Sequence, residues 1–541
     1  MFLQLFSNKK LSVKALDQWT RDLPIQASRG KIYDRNGVIL ADNLTTYDIY
    51  VRPRMVKESD VTARELSRIL SIEYEPIYKK LTAKGSSEFT LKRGIDEKTM
   101  KEIVNLNLSG IYYSISNKRY YPYNELACQV LGYVSIDGDG QSGLEKYYNE
   151  YLRGIDGKLL SQGDLLGVEG ENDLRYYVEG QSGLDLYLTI DKDIQAITEN
   201  ALKKVMLNSK PLSTSAMVMD VNSGEVVAMA NLPDFDLNKP PRDDIELLMK
   251  LSRNTLATDI YEPGSTFKVL TASANIEEYL KGNKNAFSPT HIFSGSSIRV
   301  VDGQTIKCWD KHLNGRHQQE NLQMALQNSC NPVFVDIALA LKKEKFYDYL
   351  ELFGYGKQTG IDYIGEASGM IINENFVKNC DLARIGFGQT IAVTGLQLIN
   401  ATAAAVNGGI LNQPTLLKEV KTKENKLVYR QNQNVLSRPI SEKTSEIMRK
   451  YLQNVVEYGS GSHALVDGVA VGGKTGTAQK YVNGHIAQGK YISSFVGFFP
   501  AEKPQYICLV LVDEPIGIYY GSVISAPVAK EIIEGILSLD K

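Results

Sequence analysis

At 541 residues the chain exceeds one ordinary domain, so two or three domains are expected. Hydrophobic residues make up 43% and charged residues 23%, which excludes a disordered or fibrous chain and indicates large cores. With 61 Lys+Arg against 63 Asp+Glu the net charge is −2, and no basic excess points to a nucleic-acid partner.

In chain order, residues 1–28 read as a helix, "LSVKALDQWTRDL", ended by Pro24. The opening "MFLQLFSNKK" is a short apolar cluster followed by positive charge, too short and in the wrong order for a signal peptide. No stretch approaches the roughly 18 apolar residues of a membrane span, so the residues alone favour an amphipathic first turn over the stub of an anchor. "RGKIYDRNGVILADN" (29–43) predicts a turn at Asp-Arg-Asn-Gly between extended pieces. Residues 59–83 are helical by period, and 131–154 form a glycine-dense loop running into a helix.

The composition shifts near 180. "GLDLYLTIDKDIQAITENALKKVM" (183–206) predicts a strand and then a helix. "SAMVMDVNSGEVVAMANLP" (215–233) is a strand hairpin turning at Asn222-Ser223-Gly224. Residues 265–410 are mostly helical; strands return in 468–513, and a helix over 527–538 closes the chain. Strands at both ends with helices between predict one antiparallel sheet, built from distant segments and flanked by helices.

Five cysteines (Cys128, Cys308, Cys330, Cys380, Cys508) are too few and too scattered for a disulfide framework or a zinc site. Of the five histidines none forms an H-x-x-x-H pair, although His312 and His317 are close. The expectation is no metal and no cofactor.

The chemistry-bearing candidates are three short motifs. Ser-x-x-Lys occurs four times, but only Ser265/Lys268 follows a Pro-Gly break and leads an uncharged run, "STFKVLTA". One-turn spacing puts both side chains on one helix face. Apolar surroundings would lower the lysine pKa and make it a base for the serine. "NSCNP" (328–332) offers Ser329 and Asn331, and Asn331 before Pro332 reads as a helix N-cap. "GGKTGTA" (472–478) carries Lys474, Thr475, Gly476 and Thr477; its glycines permit close approach to a strand edge, and a lysine with two hydroxyls there makes a carboxylate site.

Together, S-x-x-K, S-x-N and K-T-G in this order form the motif set of penicillin-binding proteins and serine β-lactamases. The chain resembles the class B penicillin-binding proteins nearly end to end. "RGKIYDRNGVILA", "GYVSIDGDGQSGLE", "LTIDKDIQ", "YEPGSTFK" and "GFGQTIAVTGLQL" look like that family's recurring stretches, and the wording is nearest its division and sporulation branch. The resemblance implies an α+β penicillin-binding transpeptidase fold, an antiparallel sheet flanked by helices with an all-helical subdomain, plus an elongated α+β pedestal. The expected domains are a juxtamembrane helix (1–28), a pedestal of the dimerisation type (29–179) and a transpeptidase domain (180–541). It also makes "MFLQLF" read as the remnant of a single-pass membrane anchor, with the domains on the outer face of the cell membrane.

The implied activity is D,D-transpeptidation of peptidoglycan stem peptides, with β-lactam antibiotics as covalent inhibitors. Ser265 is the implied nucleophile and Lys268 its base. Ser329 relays a proton, and Asn331 holds the substrate amide and Lys268. Lys474, Thr475 and Thr477 bind the terminal carboxylate, beside Gly476. The N–H groups of Ser265 and Thr477 form the oxyanion hole. The implied partner is a membrane glycosyltransferase of the shape–elongation–division–sporulation type, docked on the pedestal. Competing expectations are a D,D-carboxypeptidase or β-lactamase, and a scaffold with a dispensable site. On an oxidising outer face, Cys308 and Cys330 are a candidate redox pair that would distort the site as a disulfide.

Overall fold

The computed structural model describes residues 20–25, 27–83, 88–162, 175–178, 180–309, 312, 317–482 and 485–539. Its centre is a five-stranded antiparallel sheet in the order Val226–Leu232, Ser213–Asp220, Tyr506–Asp513, His485–Phe499, Gly472–Val482. Segments more than 200 residues apart in sequence thus become neighbours, as the strand pattern predicts. Both faces are covered, and the period of two decides what each covers. Ala216, Val218, Cys508, Val510 and Val512 pack against the helices Lys192–Ser209 and Ser525–Leu539. The alternate residues Met217, Met219, Ile507, Leu509 and Leu511 face a larger core shared with the helical middle of the chain.

Within that core the helix Lys268–Leu280 has every residue from Lys268 to Glu278 buried, and all of Gly395–Val406 is buried too. A helix wrapped on all sides by apolar neighbours is where an ammonium group costs most.

The N-terminal region is a second unit of α+β structure. Its strands Ile32–Tyr33, Ile39–Val51, Phe89–Ile95 and Ile111–Tyr120 share a seven-stranded sheet with Asp185–Leu188, Leu417–Lys421 and Leu427–Arg430. The turn expected at Asp-Arg-Asn-Gly is present, with Asp34 Oδ1 accepting from Asn36 N and Val38 N at 2.8 Å each. Two of the family-like stretches meet at one buried carboxylate: Arg29 Nε and Arg119 Nε each lie 2.6 Å from Glu145, whose side chain is fully buried. Burial alone would raise the Glu145 pKa; the charges of Arg119 and Arg29 overcome that and hold it below the ordinary carboxylate value.

Two local expectations are corrected. The helix expected over 1–28 is, at Thr20–Ile25, a strand antiparallel to Gly157–Gln162 at the edge of its sheet, the position in a sheet where a proline such as Pro24 is tolerated. Residues 1–19, including "MFLQLF", lie outside the described residues. The helical stretch 59–83 is two helices, Ser59–Leu70 and Tyr74–Thr82, divided where Ser71 adopts a left-handed φ of 51°. Among the described residues no helix is long and apolar enough to cross a membrane.

Candidate active site

Ser265 sits in a single 3-10 turn, Gly264–Phe267, that runs straight into the helix Lys268–Leu280. The turn is tied at three points. Gly264 N donates to Gly388 O at 2.9 Å. Thr266 Oγ1 donates to Pro263 O at 2.7 Å, and buried Phe267 packs on Tyr355 with ring centroids 5.3 Å apart. The strand Gly472–Val482 borders the turn from the other side. A Cβ on Gly476 would lie 2.4 Å from Ser494 Oγ and 3.0 Å from Thr266 Cγ2, so only glycine lets strand and turn approach this closely.

Ser329, Lys268 and Lys474 form one contact group. Lys268 Nζ donates to Ser329 O at 2.8 Å, to Ser329 Oγ at 3.1 Å and to Asn331 Oδ1 at 2.7 Å. Lys474 Nζ donates to the same Ser329 Oγ at 3.0 Å and to Thr475 O at 3.1 Å. Two amines thus occupy the lone pairs of one hydroxyl, which leaves its own hydrogen to point elsewhere. Ser329 holds a left-handed φ of 59°, an uncommon state for a non-glycine residue, and in it presents both its carbonyl and its hydroxyl to Lys268.

Both lysines are completely buried. Burial brings the Lys268 pKa down to about 8. Lys474 is pushed well below the usual lysine value by burial and then by the charge of Lys268. Two ammonium groups sharing one neutral hydroxyl repel each other, so the pair titrates as a unit and gives up its first proton early.

Asn331 is not the N-cap that the sequence predicts. Cys330 occupies that position without a side-chain cap bond, and Asn331 is the first helical residue, its amide oxygen taken by Lys268. A buried ammonium outbids a neutral backbone N–H for that acceptor. Thr475 Oγ1 bonds Ser460 Oγ at 3.2 Å, and Thr477 Oγ1 accepts from Gly521 N at 3.0 Å.

Ser265, Ser329, Asn331, Thr475, Gly476 and Thr477 line one open cleft of about 430 Å³. Lys268 and Lys474 lie buried beneath it, both reaching Ser329. The structure therefore brings all the motif residues together. Sequence reasoning missed the aromatic wall of the cleft, Trp309, Tyr491, Tyr519 and Tyr520, of which Tyr491 and Tyr519 stack at 3.8 Å. Trp309 in "KCWD" and the Tyr519-Tyr520 pair in "IYYGS" are the available signal, and Tyr491 has none of this kind. The cysteines judged too scattered are not: Cys308 and Cys330 are free thiols gathered with His312 and His317, their ligating atoms all within 4.8 Å of one another.

A sheet with a buried S-x-x-K helix on one side, an S-x-N turn above it and a K-T-G edge strand beside it defines a serine acyltransferase of the penicillin-recognising class. Comparison with known families agrees. Residues 214–534 match the penicillin-binding protein transpeptidase domain, and residues 24–188 match the penicillin-binding protein dimerisation domain. The chain belongs to the penicillin-binding protein family, in its class B arrangement of these two modules. It is 36% identical over 536 residues to stage V sporulation protein D of Bacillus subtilis, covering 98% of this chain and 81% of that protein. It is 29% identical to the probable peptidoglycan D,D-transpeptidase PenA of Neisseria meningitidis, covering 100% of this chain and 89% of that one. Among solved structures, penicillin-binding protein 2X of Streptococcus thermophilus superposes with a TM-score of 0.80 at 25% identity, over 96% of this chain and 80% of that one.

Proposed function

We propose that this protein is a peptidoglycan D,D-transpeptidase that cross-links stem peptides through an acyl-enzyme on Ser265. The observation that carries the reading is the pair of buried amines sharing Ser329 Oγ directly beneath the cleft that holds Ser265. Ser265 Oγ attacks the carbonyl of the penultimate D-alanine, and its proton passes to the neutral Lys268 amine. The developing oxyanion is received by the N–H groups of Ser265 and Thr477; one such donor is worth about two to three powers of ten in rate. As the C–N bond breaks, Ser329 delivers a proton to the departing D-alanine amine and is reprotonated from the lysine pair. Lys474, Thr475 and Thr477 take the terminal carboxylate, and Asn331 orients the substrate amide. An amine of a second stem peptide then attacks the ester and frees Ser265.

Among the described residues lining the cleft none is a carboxylate, which supports transfer to an amine over activation of water. β-Lactams, whose strained amide imitates the dipeptide end, acylate the same serine. The match to a sporulation protein over 98% of the chain supports a role in wall synthesis during sporulation or division, on the outer face of the membrane. In this reading the N-terminal module, which matches the penicillin-binding protein dimerisation domain, is the docking surface for a membrane glycosyltransferase of the shape–elongation–division–sporulation type.

Labelling with fluorescent penicillin followed by peptide mapping tests the chemistry: the label is expected on the peptide carrying Ser265. A label elsewhere overturns the assignment, and steady turnover of a chromogenic cephalosporin would make the protein a hydrolase.

A further inference from the structure

Four side chains beside the S-x-N turn have no part in the acyl-transfer scheme. Cys308 follows the strand Gln304–Lys307, Cys330 precedes the helix Asn331–Leu352, and His312 and His317 lie between them in sequence. Cys308 Sγ is 3.6 Å from His312 Nδ1, and Cys330 Sγ is 3.6 Å from His317 Nε2. The two imidazoles stack with centroids 4.3 Å apart. Cys308, Cys330 and His312 are buried.

This is the donor geometry of a closed metal site. A tetrahedron with Zn–S bonds of about 2.3 Å and Zn–N bonds of about 2.05 Å has S···N edges of about 3.6 Å. The separations of 3.6 Å for both Cys–His pairs equal that edge, and the outer limit of 4.8 Å among the four atoms closes with a contraction of about 1 Å.

The surroundings select the ligating nitrogen on each ring. His317 Nδ1 lies 3.0 Å from Gly295 O, so it carries the hydrogen and leaves Nε2 bare toward Cys330. His312 Nε2 faces buried Glu320 Oε1 at 3.4 Å, which leaves Nδ1 bare toward Cys308. A carbonyl or carboxylate behind each imidazole is the outer-shell support that fixes tautomer and orientation in metal sites. The backbone N–H of Asn331 points at Cys308 Sγ at 3.4 Å, an interaction that favours a thiolate.

We propose that Cys308, His312, His317 and Cys330 bind one zinc ion as a structural, four-ligand site that pins the S-x-N turn. Two sulfurs and two imidazole nitrogens in a tetrahedron suit zinc and not the oxygen-seeking magnesium or calcium. With all four positions filled by protein, the ion has no open site for substrate and takes no part in the chemistry. Its effect is positional. Cys330 stands between Ser329 and Asn331, so a bond from its sulfur holds both residues that contact Lys268. The strained left-handed Ser329 is then held by an ion as well as by two lysines. Zinc binding itself is independent of the acyl-transfer reading; only its effect on Ser265 rests on that reading.

The test begins with the whole protein purified under reducing, zinc-replete conditions and analysed for metal by mass spectrometry. About one zinc per chain is expected, and the Cys308→Ser, His317→Asn double variant should lose at least about tenfold of that content. Cobalt exchanged into the wild-type protein should show intense tetrahedral d–d bands and a thiolate charge-transfer band, a signature that does not depend on any variant folding. Removal of zinc with a chelator should slow penicillin labelling of Ser265 by about 10- to 100-fold, with recovery on adding zinc. Less than about 0.1 zinc per chain in the replete wild type, or Cys308 joined to Cys330 as a disulfide in that same preparation, overturns the site. Zinc retained in full by the double variant overturns it equally. If zinc binds but penicillin labels some other residue, the function assigned above falls and the metal site stands.

Discussion

Two buried triads in this molecule look alike and behave in opposite ways. In the N-terminal region, Arg29 and Arg119 flank Glu145; beneath the cleft, Lys268 and Lys474 flank Ser329. Each places two cations on one oxygen-bearing side chain with little or no solvent. The first is two charges on an anion, built from guanidinium groups that do not deprotonate, so it stays an ion cluster and serves the fold. The second is two amines on a neutral hydroxyl, with no carboxylate among their hydrogen-bond partners in the described residues. Lysine answers by giving up a proton, and the cost of desolvation becomes a supply of free base.

The comparison breaks first at the nucleophile. Ser265→Ala should cut penicillin acylation by about 10⁴-fold or more, while the unfolding transition stays in place. Lys268→Arg comes next: a guanidinium cannot act as base, and acylation should fall by about 10² to 10⁴-fold in stopped-flow measurements with a β-lactam. If Lys268→Arg retains wild-type rates, the two triads are not chemically different. Glu145→Gln attacks the other triad. It leaves two buried guanidinium charges facing a neutral amide and should cost about 3–5 kcal/mol in denaturant unfolding, with acylation of the folded fraction unchanged.

Acid and alkali separate the two triads by window: stability rises with pH through both, because the fold favours charged Glu145 but neutral Lys268. Glu145 is depressed in the folded state, so its contribution is complete above the unfolded carboxylate value of about 4.3 and drains away as pH falls through the folded value. Lys268 is depressed to about 8, so between there and the ordinary lysine value the unfolded chain binds more protons and stability rises with pH. For the reaction, the free amine grows as pH rises, and acylation should increase about tenfold from roughly pH 7 to roughly pH 9. A flat profile would mean that Lys268 is already neutral or is not the base.

Much of the site was legible because its parts are local. The Pro-Gly break, the one-turn spacing of Ser265 and Lys268 and the glycines around Lys474 are short-range signals, and the structure places each on the element they predict. Asn331 failed as an N-cap because a local rule met a distant competitor, a lysine 63 residues away. The strand Thr20–Ile25 was misread as helix because its partner, Gly157–Gln162, lies far along the chain.

The four metal-ligating candidates show the same divide. Their spacing, within residues 308–330, follows no familiar helix or knuckle pattern, so counting cysteines and histidines led away from them. What the chain determined by itself was the identity of the reactive groups and the periodicity that buries them, since both are written in nearest neighbours. What only the tertiary structure decided was which distant groups share an oxygen or a sulfur, and hence which protons leave. Desolvation and electrostatic coupling depend on atoms a few ångströms apart in space, however many residues separate them along the backbone.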